Sequence, residues 1–268
     1  MINSYWGMEY NPFDKDIDEK ACFKSSDHNQ AIARLEHLKK VKGIGLFTGL
    51  AGTGKTFSLR CFAASLNPNL YKTVYMPLST VTVMEFYRAL AFGLNIEPTF
   101  KKIDMYRSIQ ERIISLSKDR KVTPVIILDE CQYLKTGILN DLVMLTNHDM
   151  DSKSYAVLIL NGQPVLNDIL SRSIHESLKQ RIVIHYHFEG ISRTETEEYV
   201  LSRLKLCGVN EPIFNKNSFE ALYSCSNGST RKLNSVIEKC LIIGAQKNVR
   251  VITTEMIMEA QNETELIM

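Results

Sequence analysis

Eight residues, Gly49-Leu50-Ala51-Gly52-Thr53-Gly54-Lys55-Thr56, follow the pattern G-x-x-x-x-G-K-[ST], whose chemistry is the cradling of phosphate groups. The glycines let backbone N–H groups turn inward, Lys55 brings a cation to the outer phosphates, and Thr56 offers a hydroxyl to Mg²⁺. A helix starting near Lys55 and running through Phe57 adds the partial positive charge of its N-terminus. A second chemical cluster closes the apolar run Val125-Ile126-Ile127-Leu128, which ends in Asp129 and Glu130. Asp129, at the C-terminal end of a strand, is placed to hold Mg²⁺ or a water on it; Glu130, diverging on the alternate face, is placed to polarise a water that attacks the γ-phosphate. Asn161-Gly162-Gln163 follows another apolar run, and either amide could orient that water.

These groups need elements to carry them. Residues 44–48 read as a short buried strand and 56–66 as a helix, with Phe57, Leu59, Phe62 and Ala63 at helical spacing. Upstream, Asp27 is the expected cap of a helix to about residue 40. Downstream come a strand at 73–76, a helix at 83–94, a break at Glu97-Pro98-Thr99, a basic helix at 103–118 and the strand that ends in Asp129. A helix at 137–146, an apolar run at 155–160, a short helix at 165–170 and a strand at 182–187 complete an alternation that argues for a mostly parallel sheet covered on both faces. From about Gly190 every segment reads as helix, at 194–206, 218–224, 231–246 and 254–260. The expected organisation is an extended aromatic arm over 1–26 packed on the domain, a nucleotide-binding α/β domain over 27–190 and a helical domain over 191–268.

The bulk numbers narrow the class. With 268 residues, 44% of them hydrophobic, the chain can bury a real core, and a net charge of +2 does not by itself announce a nucleic-acid partner. No apolar stretch reaches the roughly 18–20 residues of a membrane span, and the first residues have neither the basic start nor the apolar core of a signal peptide, so a cytoplasmic protein without a membrane partner is expected. Six scattered cysteines without a C-x-x-C pair read as reduced core residues. His185 and His187 share one strand face, and lacking a third nearby ligand they read as polar strand residues.

The strings Asn11-Pro12-Phe13, Gly-x-Gly-Lys-Thr at 52–56, Leu-Asp-Glu-Cys-Gln-Tyr-Leu at 128–134, Asn-Gly-Gln-Pro at 161–164, Leu-Lys-Gln-Arg at 178–181 and Gly-Ser-Thr-Arg-Lys-Leu-Asn at 228–234 together resemble the AAA+ ATPases. Within them the chain is most similar to the ExeA-like group that includes the transposition regulators TnsC, TniB and Mu B. The resemblance implies an α/β three-layer sandwich with a mostly parallel five-stranded sheet and a small all-helical lid, ATP and Mg²⁺ as cofactors, and ATP hydrolysis to ADP and phosphate. It also implies roles: Gly49 to Phe57 around the phosphates, Thr56 and Asp129 on the metal, Asp129 and Glu130 as the Walker B pair, Asn161 or Gln163 as sensor 1, and Arg231 as sensor 2. Arg181, with Arg172 as second choice, stands where such proteins carry an arginine finger that reaches a neighbouring subunit's nucleotide. Cys131 departs from the usual alanine after the acids, and Ser229-Thr230 from the usual proline.

A finger supplied in trans implies a working homo-oligomer, a ring or a helical filament. Among ExeA-like proteins, an absent membrane segment and an end just after the lid favour the transposition regulators over the secretion ATPases. The implied partners are duplex DNA, touched without sequence reading, and a transposase, with a targeting protein as a further candidate. Lys101 and Lys102, then Thr80, Thr82 and Lys121, are the expected DNA contacts, taken from the basic region 101–121 and the loop after the second strand.

Overall fold

In a computed structural model, residues 2–14, 22–77, 80–146 and 154–264 are described. Five strands, β1 (Gly43–Gly49), β2 (Tyr71–Met76), β3 (Thr123–Leu128), β4 (Val157–Gly162) and β5 (Ile182–Phe188), form one sheet in the order β2-β3-β4-β1-β5, with each neighbouring pair parallel. Parallel neighbours need crossovers, which helices supply. Nine of these lie in the chain up to β5 or just beyond it: α1 (Ile2–Trp6), α2 (Ser26–Val41), α3 (Lys55–Ser65), α4 (Val83–Gly93), α5 (Lys102–Lys118), α6 (Thr136–Thr146), α7 (Val165–Leu170), α8 (Glu176–Lys179) and α9 (Arg193–Leu206). After them come α10 (Ser218–Ser226), α11 (Thr230–Gln246) and α12 (Thr254–Thr264).

The sheet sits between two apolar layers because its central strands alternate their faces. Leu46, Ile126, Leu128, Leu158 and Leu160 face a layer built from α4, α5 and α6. Phe47, Val125, Ile127, Val157 and Ile159 face Leu35 and Leu38 of α2 and Leu59 and Phe62 of α3. Every residue of β4 is buried, whereas β5, at the edge, alternates half-buried and exposed as far as the buried Phe188. This is the burial expected of central and edge strands in an α/β sheet.

Contacts divide the chain into two units. One holds residues 30–49 and 55–188, hence the sheet and its helices. The other holds the described residues of 1–29, 50–54 and 189–268. The boundaries drawn from sequence therefore shift at the N-terminus. The expected extended arm includes the helix α1, and Trp6, Met8 and Phe13 are buried among Tyr199, Leu222, Ile237 and Ile257 of the helical unit. The indole N–H of Trp6 donates to Leu241 O at 2.9 Å, the Tyr5 hydroxyl to Val249 O at 2.9 Å, and the Asn11 side-chain amide to Glu238 Oε1 at 2.9 Å.

The cap of α2 also moves. Ser25, not Asp27, fills that role, its hydroxyl accepting His28 N–H at 3.1 Å. Asp27 lies within the first turn and its carboxylate accepts the Gly190 N–H at 2.7 Å.

Because Trp6 is the chain's one tryptophan and only 6% exposed, its ring is part of the helical unit's core. Trp6→Ala is expected to lower unfolding free energy by about 3–5 kcal/mol in urea titrations followed by far-UV circular dichroism. A loss under about 1 kcal/mol would take the segment out of the core.

Candidate active site

The parallel register brings the chemistry together at the C-terminal ends of the strands. Leu128 of β3 pairs with Leu160 of β4, so the next residues, Asp129 and Asn161, stand side by side. Asp129 is 5% exposed, and a buried carboxylate requires donors. Thr56 Oγ1 donates to its Oδ2 at 3.0 Å and the Tyr75 phenol to the same oxygen at 2.9 Å. Asn161 Nδ2 donates to Oδ1 at 2.5 Å, and Glu130 N–H reaches Oδ1 at 2.9 Å. Four elements of the sheet unit thus converge on one side chain.

Tyr75 escaped the sequence reading. Its position on β2 reads as an ordinary aromatic strand residue, and only the pairing of Met76 with Leu128 carries it toward Asp129. Burial first, and then the Asp129 carboxylate, raise its phenol above the usual tyrosine range, so it stays a proton donor at neutral pH.

Lys55, 7% exposed, donates from Nζ to Gly49 O at 2.7 Å, holding its cation at the mouth of the phosphate loop. The middle of that loop, Leu50 to Gly54, groups with the helical unit. There Thr230 donates from both its N–H and its hydroxyl to Gly52 O at 2.9 Å, and the Ser229 hydroxyl to Ala51 O at 3.2 Å. Gly52 has φ of 82°, and a Cβ there would meet Ser229 Oγ at 2.4 Å and Arg231 Cβ at 2.8 Å, so only glycine fits. Thr53 closes the turn with its hydroxyl on Leu50 O at 2.9 Å, and a Cβ on Gly54 would meet open space. Phe57 is half-buried, with the Arg60 guanidinium over its ring at 5.0 Å from the centroid. Arg231, exposed in the first turn of α11, lies beside Gly52.

The second acid departs from the strand picture. β3 ends at Leu128, and Glu130 has φ of 52° and ψ of 41°, so a left-handed turn, not strand alternation, separates the two acids. Gln132, part of the 128–134 string but given no role by the sequence, donates Nε2–H to Glu130 Oε2 at 2.6 Å while its Oε1 accepts the Gln163 N–H at 3.0 Å. Of the two amide candidates, Asn161 is fully buried as part of β4 and touches Asp129, whereas Gln163 meets the cluster through its backbone. His185 and His187 both lie on the β5 edge with Thr48 Oγ1 between them, at 3.4 Å and 3.1 Å. Burial and then His187 lower the pKa of His185.

The remaining candidates lie apart. Arg181 precedes β5, whose Ile182 pairs with Ile44 and whose Phe188 pairs with Gly49, so at about 3.3 Å per residue Arg181 stands roughly 20 Å from the phosphate-loop end of the sheet. It lines an open groove of about 510 Å³ together with Lys42, Ser154, Ser177 and Gln180. Arg172 is exposed at the turn before Ser173–His175. Lys101 precedes α5 and is exposed, but Lys102 Nζ is 2.6 Å from Asp141 Oδ2 and over the Tyr87 ring. Lys121 lies beyond the other end of the 17-residue α5, about 25 Å along the helix axis, so these lysines do not form one patch. Thr80 is exposed, whereas the Thr82 hydroxyl is committed to capping α4.

The donor set suits Mg²⁺, a hard cation that takes hydroxyl and carboxylate oxygens, and the glycine-walled loop suits a phosphate chain. Asn161 Oδ1, buried and without a hydrogen-bond partner, supplies one more oxygen at the same place.

Comparison with known proteins bears on the fold. Residues 38–170 match the AAA domain family. Cdc6p from Pyrobaculum aerophilum superposes with a TM-score of 0.70 at 16% identity, covering 94% of this chain and 70% of that one. The fold is the AAA+ fold. The Aeropyrum pernix ORC1 protein, solved in complex with DNA, gives a TM-score of 0.62 at 15% identity, covering 97% and 69%. The Thermotoga maritima RuvB Holliday junction branch migration motor gives 0.58 at 16%, covering 95% and 73%. In sequence, the chain is 29% identical over 245 residues to General secretion pathway protein A of Aeromonas hydrophila, over 90% of its own length. It spans 44% of that relative.

Asn161→Asp tests the buried contact. Two carboxyl groups within hydrogen-bond reach share a proton, which raises the folded-state affinity for that proton above the unfolded value near 4. The variant is expected to be nearest wild-type stability below about pH 4 and to lose at least about 2 kcal/mol as pH rises to 8, read by urea unfolding across pH. A pH-independent difference would separate Asn161 from Asp129.

Proposed function

We propose that this chain is a Mg²⁺-dependent ATPase, completed by a second copy of itself, that assembles on duplex DNA and regulates transposition by marking a target and recruiting a transposase. The observation that carries the ATPase is the convergence of Thr56, Tyr75 and Asn161 on Asp129 beside the Lys55 loop. Mg²⁺, when bound, neutralises charge on the phosphates and aligns the γ-phosphoryl group. Thr56 and Asp129 would hold it, Lys55 and the loop N–H groups would hold the phosphates, Glu130 would take a proton from the attacking water, and Asn161 would orient that water. Arg231 is the sensor 2 candidate by the family resemblance alone.

Arg181 cannot serve its own chain's phosphates across roughly 20 Å of sheet, which supports its use in trans. The DNA reading draws on the exposed Lys101, Thr80 and Lys121, and on an AAA+ fold shared with a protein solved in complex with DNA and with a branch migration motor. Contacts of that kind would bind phosphates without reading bases. A second reading, a secretion-side ATPase, is favoured by the 29% identity to General secretion pathway protein A over 90% of this chain. Among the described residues no helix is long and apolar enough to cross a membrane.

Mixing two inactive variants tests the trans arginine. Lys55→Ala retains the finger and Arg181→Ala retains the loop; each alone should turn over ATP at least about 100-fold more slowly, and the mixture should recover measurable turnover. No recovery would argue against Arg181 as the shared group. Glu130→Gln should keep nucleotide affinity and lose turnover.

The DNA assignment is read by duplex gel shift. A non-hydrolysable ATP analogue should promote retention that weakens steeply with salt and is reduced at least about tenfold by Lys101→Ala with Lys121→Ala. No retention, with the chain recovered on membranes, would overturn it in favour of the secretion-side reading.

A further inference from the structure

The side chain of Glu130 is restrained from both of its ends. Its backbone sits in the left-handed region, a conformation unfavourable for a residue with a Cβ that persists only where the surroundings fix it. The surroundings are the short turn Cys131–Tyr133: Cys131 is fully buried with its Sγ on Leu128 O at 3.2 Å, and Tyr133 N–H returns to Glu130 O at 3.1 Å. That fixes where the glutamate starts. Gln132 fixes where it ends.

The Gln132 amide has one orientation that satisfies both neighbours. Its NH₂ must face the Glu130 carboxylate, an acceptor, and its oxygen must face the Gln163 N–H, a donor; the flipped amide would set like groups against each other at both contacts. Space for that oxygen depends on Gly162, where a Cβ would come within 2.7 Å of Gln132 Oε1. The connection therefore runs from the segment after β4, through one amide, to a single oxygen of Glu130. It leaves Oε1 of Glu130 to accept a water proton. Asn161, two residues before Gln163, makes the matching connection to Asp129.

We infer that Gln132 is a positioning residue for ATP hydrolysis, tying the Glu130 carboxylate to the end of β4 so that both acids are set from the same segment. This rests on Glu130 acting as the base. A shift of the residues after β4 when a γ-phosphate is present would pass to Glu130 through Gln132, and to Asp129 through Asn161. Gln132 does not touch substrate in this arrangement. Its loss should slow the chemical step and spare binding.

Gln132→Met keeps the length and bulk and removes both hydrogen bonds. In the full-length chain with saturating ATP and Mg²⁺ it should lower kcat by about 10–100-fold, with KM, affinity for a fluorescent ATP analogue and the urea midpoint close to wild type. Gln132→Glu, which keeps the acceptor toward Gln163 but cannot donate to Glu130, should lose as much. On a Glu130→Gln background, Gln132→Met should change turnover less than about twofold, because the group it positions is gone. Wild-type kcat in Gln132→Met, or a parallel fall in kcat, affinity and stability, would overturn the inference while leaving Glu130 in place. Wild-type turnover in Glu130→Gln would instead remove the reading beneath it.

Discussion

A buried carboxylate at the end of a parallel strand organises this molecule's candidate site. Asp129 cannot be covered without donors, and the donors come from α3, β2, β4 and the backbone of the next residue. Each of those elements is held in place by the sheet order β2-β3-β4-β1-β5, in which β3 lies between the strand bearing Tyr75 and the strand bearing Asn161. A slip of one residue in the β3–β4 register would replace Asn161 beside Asp129 with Leu160 or Gly162, neither of which has a side-chain donor. The apolar faces of these strands forbid that slip, since it would turn Leu158 and Leu160 to the opposite layer. Core packing and active-site geometry are thus one constraint.

The same division of labour governs the phosphate loop. Its outward carbonyls at Ala51 and Gly52 are taken by Ser229 and Thr230, which cap the start of α11. With those acceptors satisfied, the groups of the loop that could meet a phosphate on the proposed reading are its N–H donors and Lys55. Glycine at 52 answers two demands at once, a positive φ and close approach of the helix start.

What the chain's sequence revealed follows the range of the interactions. Central strands such as β3 and β4 are legible because burial on both faces makes them continuous apolar runs, and long helices because their periodicity repeats. The phosphate loop is legible because its eight residues are contiguous. Helix α1 is not: five residues are too few for a period, and its anchor, Leu241, lies 235 positions away. Ser25, Ser26 and Asp27 are all residues that cap helices, and only the distant Gly190 N–H decides that Asp27 is occupied elsewhere. Asn161 and Gln163 look equivalent until the β3–β4 register sets one of them against Asp129. Gln132 was hidden for a different reason, since a left-handed residue at 130, which no local sequence pattern announces, is what folds it back onto Glu130.

On the proposed reading, the position of Arg181 requires two chains rather than one. In a parallel sheet every strand delivers its C-terminal end to the same side, so a residue entering β5 is as far from the phosphate loop as the sheet is tall. No side chain covers that distance: even an extended arginine reaches only about 7 Å, and moving β5 down the sheet would break its pairing with β1. A cation at that end is useful to phosphates only if they belong to another molecule. Head-to-tail contact, in which one copy's strand-entry end meets another's phosphate end, is heterologous, and heterologous contacts propagate into rings or filaments. On the proposed reading, the separation of Arg181 from Lys55 within one chain is therefore what makes nucleotide hydrolysis report on assembly.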